Sequence, residues 1–420
     1  MRIAAVRVDI LRITSERSDL DDLIDCLRRP PKRAFFDNLV VDFLANVSRE
    51  LLGHVEGRRR ADIVSVAFFF RRAGIRRLQS LVPQGTVNVV RRPIGGVFHI
   101  APANVDTMFL YSLGMSMLMG NHNVVKVSSR MGRSASIILD VIENVMRQEA
   151  FRPLQSEVKL LAYDNDERIT SRLSRECQMR VVWGGDETIA RIRAVPLAST
   201  ARELCFPDRI SYSIIHVGRY LRLPVDERNN LAAKFYNDVY WFDQKGCSSP
   251  RWLYWLSPSE GQYPKARLDF FQRLQKIVSL KEFRLPWSAA IENLNLSYSA
   301  ILSGEIDGLR WHSNELVELE SCEGVKSDMW LGGTGILRNR HVADLEDLAQ
   351  FAHEKDQTVT YYGLSTESVE ALAAGTSACG ALRYVPIGEA LSFSPIWDGL
   401  NLFEQMSQAI WVSCDAPVEG

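Results

Sequence analysis

From Thr86 to Val127 the chain reads as strand, bend, strand, helix, strand, and this run limits the possible folds more than any other. Val87-Asn88-Val89-Val90-Arg91-Arg92-Pro93-Ile94-Gly95-Gly96-Val97-Phe98-His99-Ile100 is rich in strand-forming residues around a Pro/Gly interruption, which predicts two strand segments about a bend. Ala101-Pro102-Ala103-Asn104 follows, then the apolar stretch Met108 to Met119, a stop at Gly120-Asn121, and the short strand Asn123-Val124-Val125-Lys126-Val127. Polarity does not alternate along these strands, so both sheet faces are expected to be covered, as in a parallel βαβ unit. The apolar stretch is about 12 residues long and is broken by Ser112, Gly114 and Ser116, too short for a bilayer crossing, so it reads as a buried helix.

The pattern then repeats. Ser134 to Ala150 reads as a helix, Val158 to Tyr163 as a strand, and Met179-Arg180-Val181-Val182-Trp183 as a strand that ends at Gly184-Gly185 and opens a helix from Glu187. Strands alternating with helices predict an α/β fold with a doubly wound parallel sheet. The β-rich run Ile210 to Ile215, within Asp208 to Val217, starts a second α/β domain that includes a helix from Asp226 to Val239 and runs to about residue 382. The expected domains are therefore 1–210 for dinucleotide binding, 211–382 for thiol chemistry, and a C-terminal segment 383–420 packing back on the first domain or on a partner subunit. Residues 1 to about 85 add helical patterns with basic clusters (Arg28-Arg29, Arg58-Arg59-Arg60, Arg71-Arg72), read as solvated helix faces because acidic residues lie among them.

Composition narrows the partners. With 50 Lys+Arg against 51 Asp+Glu in 420 residues, no overall field favours nucleic acid or an anionic membrane, and any anionic ligand must be held locally. The seven cysteines (26, 177, 205, 247, 322, 379, 414) are odd in number and lack paired CxxC spacing, so no metal site is expected and they read as reduced thiols of a cytoplasmic protein. Met1 to Leu20 places Arg, Asp and Glu at short intervals and so lacks the apolar core of a signal peptide.

Four segments carry chemistry. In Asp243-Gln244-Lys245-Gly246-Cys247-Ser248-Ser249-Pro250 a thiol stands beside a glycine, where a bulky electrophile can reach it, and a helix opening at Ser248 would aim N–H groups at it. Asn104 ends a strand just before a helix, where its amide can donate to an oxyanion or its oxygen can cap the helix. The turn Trp183-Gly184-Gly185-Asp186-Glu187-Thr188 lets backbone approach a diphosphate at a helix N-terminus. Lys126, in a buried strand, with Ser128, Ser129 and Arg130 at its end, suits a ribose.

The order of Pro93-Ile94-Gly95-Gly96-Val97, Ala101-Pro102-Ala103-Asn104, Gly120-Asn121-His122-Asn123-Val124-Val125-Lys126, Gly184-Gly185 and Gly246-Cys247 resembles the aldehyde dehydrogenase superfamily. Asp243-Gln244 through Cys247-Ser248-Ser249-Pro250, with Arg383-Tyr384-Val385-Pro386-Ile387-Gly388 and Pro395-Ile396-Trp397-Asp398-Gly399, is more similar to the LuxC-type acyl-CoA reductases. The resemblance spans roughly residues 85 to 400. It implies two doubly wound α/β domains with a small β oligomerisation element, a subunit interface built from the strands around 87 to 100, and a homo-oligomer. It also implies an oxidoreductase that reduces a fatty acyl thioester, from acyl-CoA or an acyl-protein, to an aldehyde through an S-acyl cysteine, with an acyl-protein synthetase or acyl carrier as a further partner. Carried over, Cys247 is the acyl-accepting nucleophile and Asn104 the oxyanion donor. Lys126, Ser128, Ser129, Gly184, Gly185 and Thr188 make the dinucleotide site, and Glu203 matches the superfamily's general base. Cys205 and Phe206 stand where that superfamily usually has glycines. NADPH is expected over NADH, because no carboxylate follows Lys126 until Asp140 while Arg130 and Arg133 do. The rival readings are an aldehyde dehydrogenase working toward the acid and a noncatalytic acyl-handling subunit.

Overall fold

In a computed structural model of the chain, Gly96–Ile100 is buried at every position, as its lack of alternation predicts. The structure describes residues 20–82, 88–164, 166–321, 332–375 and 380–413. Residues 1–19, Thr86, Val87, Cys322, Cys379 and Cys414 lie outside them. Two units form, one from the residues up to Pro207 together with those from Phe393 on, the other from Asp208–Ser392.

The first unit contains β1 (Val89–Pro93), β2 (Gly96–Ile100), β3 (His122–Val127), β4 (Val158–Ala162), β5 (Met179–Trp183) and β6 (Arg202–Phe206). Strands β2 to β6 form one parallel sheet in the order β4-β3-β2-β5-β6. β1 leaves this sheet and pairs antiparallel with the C-terminal strand Ser407–Trp411. The bend between β1 and β2 needs both its glycines: Gly95 has φ +126°, and a Cβ on Gly96 would lie 2.1 Å from the Leu27 carbonyl oxygen.

Both faces of the sheet are covered. The helix Met108–Leu118 is buried along its whole length and shares one core with the helices Asn38–Gly53 and Arg133–Met146. The helices Leu20–Arg28 and Glu167–Glu176 cover the other face. The predicted helix to Ala150 stops at Met146, and Glu149–Ser156, which holds Pro153, continues as a 3₁₀ helix. Among the basic clusters, Arg28 lies on an exposed surface and forks onto Glu176 at 2.6 and 2.8 Å. No helix among the described residues is long and apolar enough to cross a membrane.

The second unit contains β7 (Ile210–His216), β8 (Pro250–Leu256), β9 (Ile306–Ser313), β10 (Leu316–Ser321), β11 (Ile336–Val342), β12 (Asp356–Tyr362) and β13 (Arg383–Pro386). Their order is β13-β12-β7-β8-β11-β10-β9, parallel except for the β9–β10 pair. β13 pairs with β12, so this unit continues ten residues past 382, to Ser392. Asp238, on the helix Val225–Tyr240, fixes that extension by accepting from the N–H groups of Gly388 (2.6 Å) and Ala390 (2.9 Å).

Burial pushes the Asp238 carboxyl up to about 7. Between about pH 4 and pH 7 the folded chain then keeps a proton that the unfolded chain has lost, so this group's contribution to stability falls as pH rises through that window. Asp238→Asn is expected to flatten the pH dependence of denaturant unfolding there by close to one proton. An unchanged slope would mean that Asp238 is ionised in the fold.

From Phe393 the chain belongs to the first unit. Asp398 (φ 48°) and Gly399 (φ 74°) are both left-handed and join Ile396–Trp397 to Leu400–Asn401 as a two-residue hairpin. Asp-Gly is a favoured pair for such a turn. The Trp397-Asp398-Gly399 motif is thus explained by backbone geometry and by Trp397 packing on Tyr111 at 5.4 Å and Trp183 at 5.7 Å between ring centroids.

Candidate active site

Cys247 sits in the connection between the helix Val225–Tyr240 and β8. No helix opens at Ser248. Ser249 closes a turn onto the Gly246 carbonyl (3.0 Å) and Pro250 begins a strand, because Arg-Trp-Leu-Tyr-Trp-Leu is a strand-forming sequence. The main chain around the thiol is pinned at several points. Ser211 Oγ donates to the Cys247 carbonyl at 2.6 Å, and Ser248 Oγ donates to Gln357 Oε1 at 2.9 Å. Fully buried Gln244 donates from Nε2 to the carbonyls of Pro250 (2.8 Å) and Ile336 (3.1 Å) and accepts from Gly335 N–H (2.7 Å). These bonds hold two consecutive non-glycine residues, Asp243 (φ 51°) and Gln244 (φ 54°), in the left-handed region.

Arg251 is the charged neighbour. Its guanidinium is buried and donates to the carbonyls of Gln244 (2.7 Å), Gly332 (3.2 Å) and Gly333 (3.3 Å). Burial lowers it to about 10, offset in part by attraction to a Cys247 thiolate and to Glu292. The other described cysteines differ. Burial pushes Cys26 and Cys177 up to about 12 and raises Cys205, with Glu203 adding to the rise. Cys247 is partly exposed. A thiol that is reachable and faces a fixed cation has the surroundings of a nucleophile, whereas Cys26 and Cys177 have those of inert core residues.

In the first unit, strand order reverses between β2 and β5, and ligands of open α/β sheets bind beyond the carboxyl ends of strands at such a point. Asn104 follows β2 and Gly184-Gly185 follows β5, so both lie at this edge. Asn104 is exposed in a bend and does not cap the helix, which starts at Met108 with Thr107 ahead of it. Asp106 is the capping residue of the loop, but for another helix: it accepts from Gly132 N–H (3.0 Å) and Ala135 N–H (3.2 Å) at the start of Arg133–Met146. Gly185 precedes the helix Asp186–Arg193, and Thr188 packs its methyl on Gly184, 3.1 Å from where a Cβ would stand.

The glycine turn is supported from below. Trp183 stacks on Phe206 at 3.9 Å and donates Nε1–H to Ser112 Oγ at 3.1 Å. Ser112 Oγ contacts His99 Nδ1 at 2.8 Å, and His99 Nε2 contacts Asn123 Oδ1 at 3.0 Å. Burial lowers His99 to about 4. Neutral His99 satisfies every partner if Nε2–H donates to Asn123 and Nδ1 accepts from Ser112. His99, Ser112 and Asn123 thereby lock the end of β5.

Lys126 lies in β3 with its ammonium 4.7 Å from the Tyr163 ring centre. Burial lowers its pKa, and Arg191 on the helix after Gly185 lowers it further. Asp164 offsets part of this by attraction. Ser128 Oγ accepts from Arg130 N–H (3.1 Å), and Ser129 and Arg130 are exposed. Arg133 forks onto Glu56 at 2.6 to 3.0 Å, so its charge is already compensated. Asp186 and Glu187 occupy the first turn after Gly185 and offset the positive end of that helix. The turn therefore offers close backbone approach more than charge.

Glu203 lies in β6, an edge strand whose Leu204/Phe206 alternation is its one sequence signal. It faces Arg180, its register partner in β5, and pairs with that buried guanidinium at 2.5 Å and with Arg193 at 3.5 Å. It stands three residues before Phe206, about 10 Å from the carboxyl edge at 3.3 Å per residue.

Known proteins repeat this architecture. The chain superposes on an NAD-dependent aldehyde dehydrogenase from Sinorhizobium meliloti with TM-score 0.66 and 13% identity, covering 96% of this chain and 88% of that one. Aldehyde dehydrogenase 21 from Physcomitrella patens, solved with the reaction product succinate, gives TM-score 0.69 at 12% identity, with 97% and 94% covered. The fold is that of the aldehyde dehydrogenases. In sequence, 182 residues are 24% identical to the long-chain acyl-protein thioester reductase of Aliivibrio fischeri, spanning 43% of this chain and only 36% of that relative's length. The stretch 77–286, which is half of the chain and holds Asn104, Lys126, the glycine turn and the Cys247 loop, matches the acyl-CoA reductase (LuxC) family, and to that family the protein belongs.

Proposed function

We propose that the protein reduces a fatty acyl thioester to an aldehyde through an S-acyl intermediate on Cys247. The observation that carries this reading is the Cys247 loop: a reachable thiol, pinned through its own main chain and beside the buried cation Arg251, within the segment matched to the family. The Cys247 sulfur attacks the thioester carbonyl, the donor thiol leaves with a proton, and the acyl group stays on the enzyme. The Asn104 side-chain N–H and the Cys247 backbone N–H hold the oxyanion. A nicotinamide dinucleotide, when bound, would supply the hydride that, with a proton from solvent, takes the acyl carbon to a thiohemiacetal. The thiohemiacetal then collapses to aldehyde and returns the Cys247 thiol.

Lys126 and Arg191 would offset the cofactor's charge, Gly184-Gly185, with Thr188 behind them, would admit it closely, and Ser128 and Ser129 would meet its ribose. We assign Glu203 as the counter-charge of Arg180 rather than as a proton acceptor, because both its oxygens face guanidinium groups. Oxidation of an aldehyde to acid requires a carboxylate free to activate water, so the engagement of Glu203 favours the reductive direction. The donor is acyl-CoA or an acyl-protein, and the setting a cytoplasmic homo-oligomer.

Incubation with NADPH and a panel of acyl-CoAs should yield free aldehyde; release of free acid instead would overturn the reading. Asn104→Ala should lower turnover by roughly 100-fold with cofactor affinity unchanged. Normal turnover in Asn104→Ala would remove it from the site. NADPH should be preferred to NADH, with Lys126→Met narrowing the gap, because the paired cations suit a 2′-phosphate. An equal or higher catalytic efficiency with NADH would show that they do not read it.

A further inference from the structure

The helix Trp287–Leu302 of the second unit is inside out. The residues it buries are small or polar, Asn293, Ser297 and Ala300. Asn293 donates to the carbonyls of Asn314 (3.2 Å) and Thr334 (2.7 Å) and accepts from Thr334 N–H (3.1 Å). Its large apolar residues face outward: Trp287 is 82% exposed, Ile291 58%, Leu294 40%, Tyr298 54%, Ile301 40% and Leu302 87%. A surface helix ordinarily shows the reverse arrangement.

The outward residues are spaced 4, 3, 4 and 3 apart from Trp287 to Ile301, the repeat of a coiled-coil seam. Together they expose on the order of 700 Å² of apolar surface, above the largest patch usual on a monomer and close to what one partner gives to a standard interface.

We infer that this face pairs, antiparallel, with the same helix of a second copy of the chain. From Trp287 to Tyr298 the seam reads the same in both directions about the midpoint between Ile291 and Leu294. Antiparallel pairing therefore sets Ile291 against Leu294 and Trp287 against Tyr298. Parallel pairing would set Trp287 on Trp287 and Tyr298 on Tyr298. Charge does not oppose self-association. The helix has one charged residue, Glu292, and its carboxylate lies against Gly332 on the inward side. The contact is isologous and closes at two copies.

The test is made on the full chain. Under mild oxidation an equimolar mixture of Ile291→Cys and Leu294→Cys chains should give a covalent dimer whose linkage maps by peptide mass to 291–294, while Trp287→Cys should give no 287–287 linkage. Light scattering should show the particle mass halved by Ile291→Glu, with turnover per chain retained. Absence of the 291–294 linkage overturns the proposal, as does a 287–287 linkage, which marks a parallel pair. An unchanged mass in Ile291→Glu also overturns it, and so does binding of the wild-type chain to lipid vesicles through this face in place of a second copy.

Discussion

Cys247→Ala should abolish aldehyde formation, by at least about 1,000-fold, because loss of a covalent nucleophile removes the route itself rather than one interaction along it. Cys247→Ser should be nearly as inactive, since a serine hydroxyl is a far weaker nucleophile than a cysteine thiol at neutral pH. The substitution should leave the fold intact. The loop is held through the Cys247 carbonyl, Ser248 and Gln244, none of which involves the sulfur. Dinucleotide affinity should be unchanged, because the residues assigned to it belong to the first unit. Steady-state turnover and cofactor titration on the same preparation check both parts. A Cys247→Ala protein retaining a tenth of wild-type turnover would refute the nucleophile assignment.

Gln244→Leu should destabilise the second unit by about 4 kcal/mol. The change leaves two buried carbonyls, on Pro250 and Ile336, and the Gly335 N–H without partners, each costing roughly 1–3 kcal/mol. It also releases the left-handed pair Asp243-Gln244, whose conformation the side chain enforces. Turnover should fall with stability, because the Cys247 main chain is fixed by this staple. Denaturant unfolding followed by the fluorescence of Trp252 and Trp255 in β8 measures the effect. A loss under 1 kcal/mol would mean that other contacts fix the loop.

The sequence makes local strand and helix positions legible, and β5 is found as predicted, Met179–Trp183. The apolar run from Met108 is equally plain, since a helix buried on all sides cannot alternate. β6 is hidden: an edge strand of five residues, half exposed, shows only the Leu204/Phe206 alternation. Missing it also hid the role of Glu203, whose partner Arg180 lies on another strand. Arg251 and Gln244 stand in the sequence beside Cys247, but their roles depend on carbonyls of Gly332, Gly333 and Ile336, far along the chain. Arg191 acts on Lys126 only once the helix after Gly185 is folded beside β5. Motif residues are thus visible in one dimension, whereas the residues that hold and charge them are not. Asn104 shows the converse, because its position before a helix suggested a cap that the actual helix start at Met108 excludes.

Aldehyde formation by this route requires a covalent intermediate on Cys247. The most direct measurement is intact mass after mixing the protein with a long-chain acyl-CoA in the absence of reduced cofactor, followed by peptide mapping. One acyl group per chain is expected, on the peptide containing Cys247, and it should disappear with release of aldehyde when NADPH is added. An acyl group on any other residue, or on Cys247→Ala to the same extent, would contradict it.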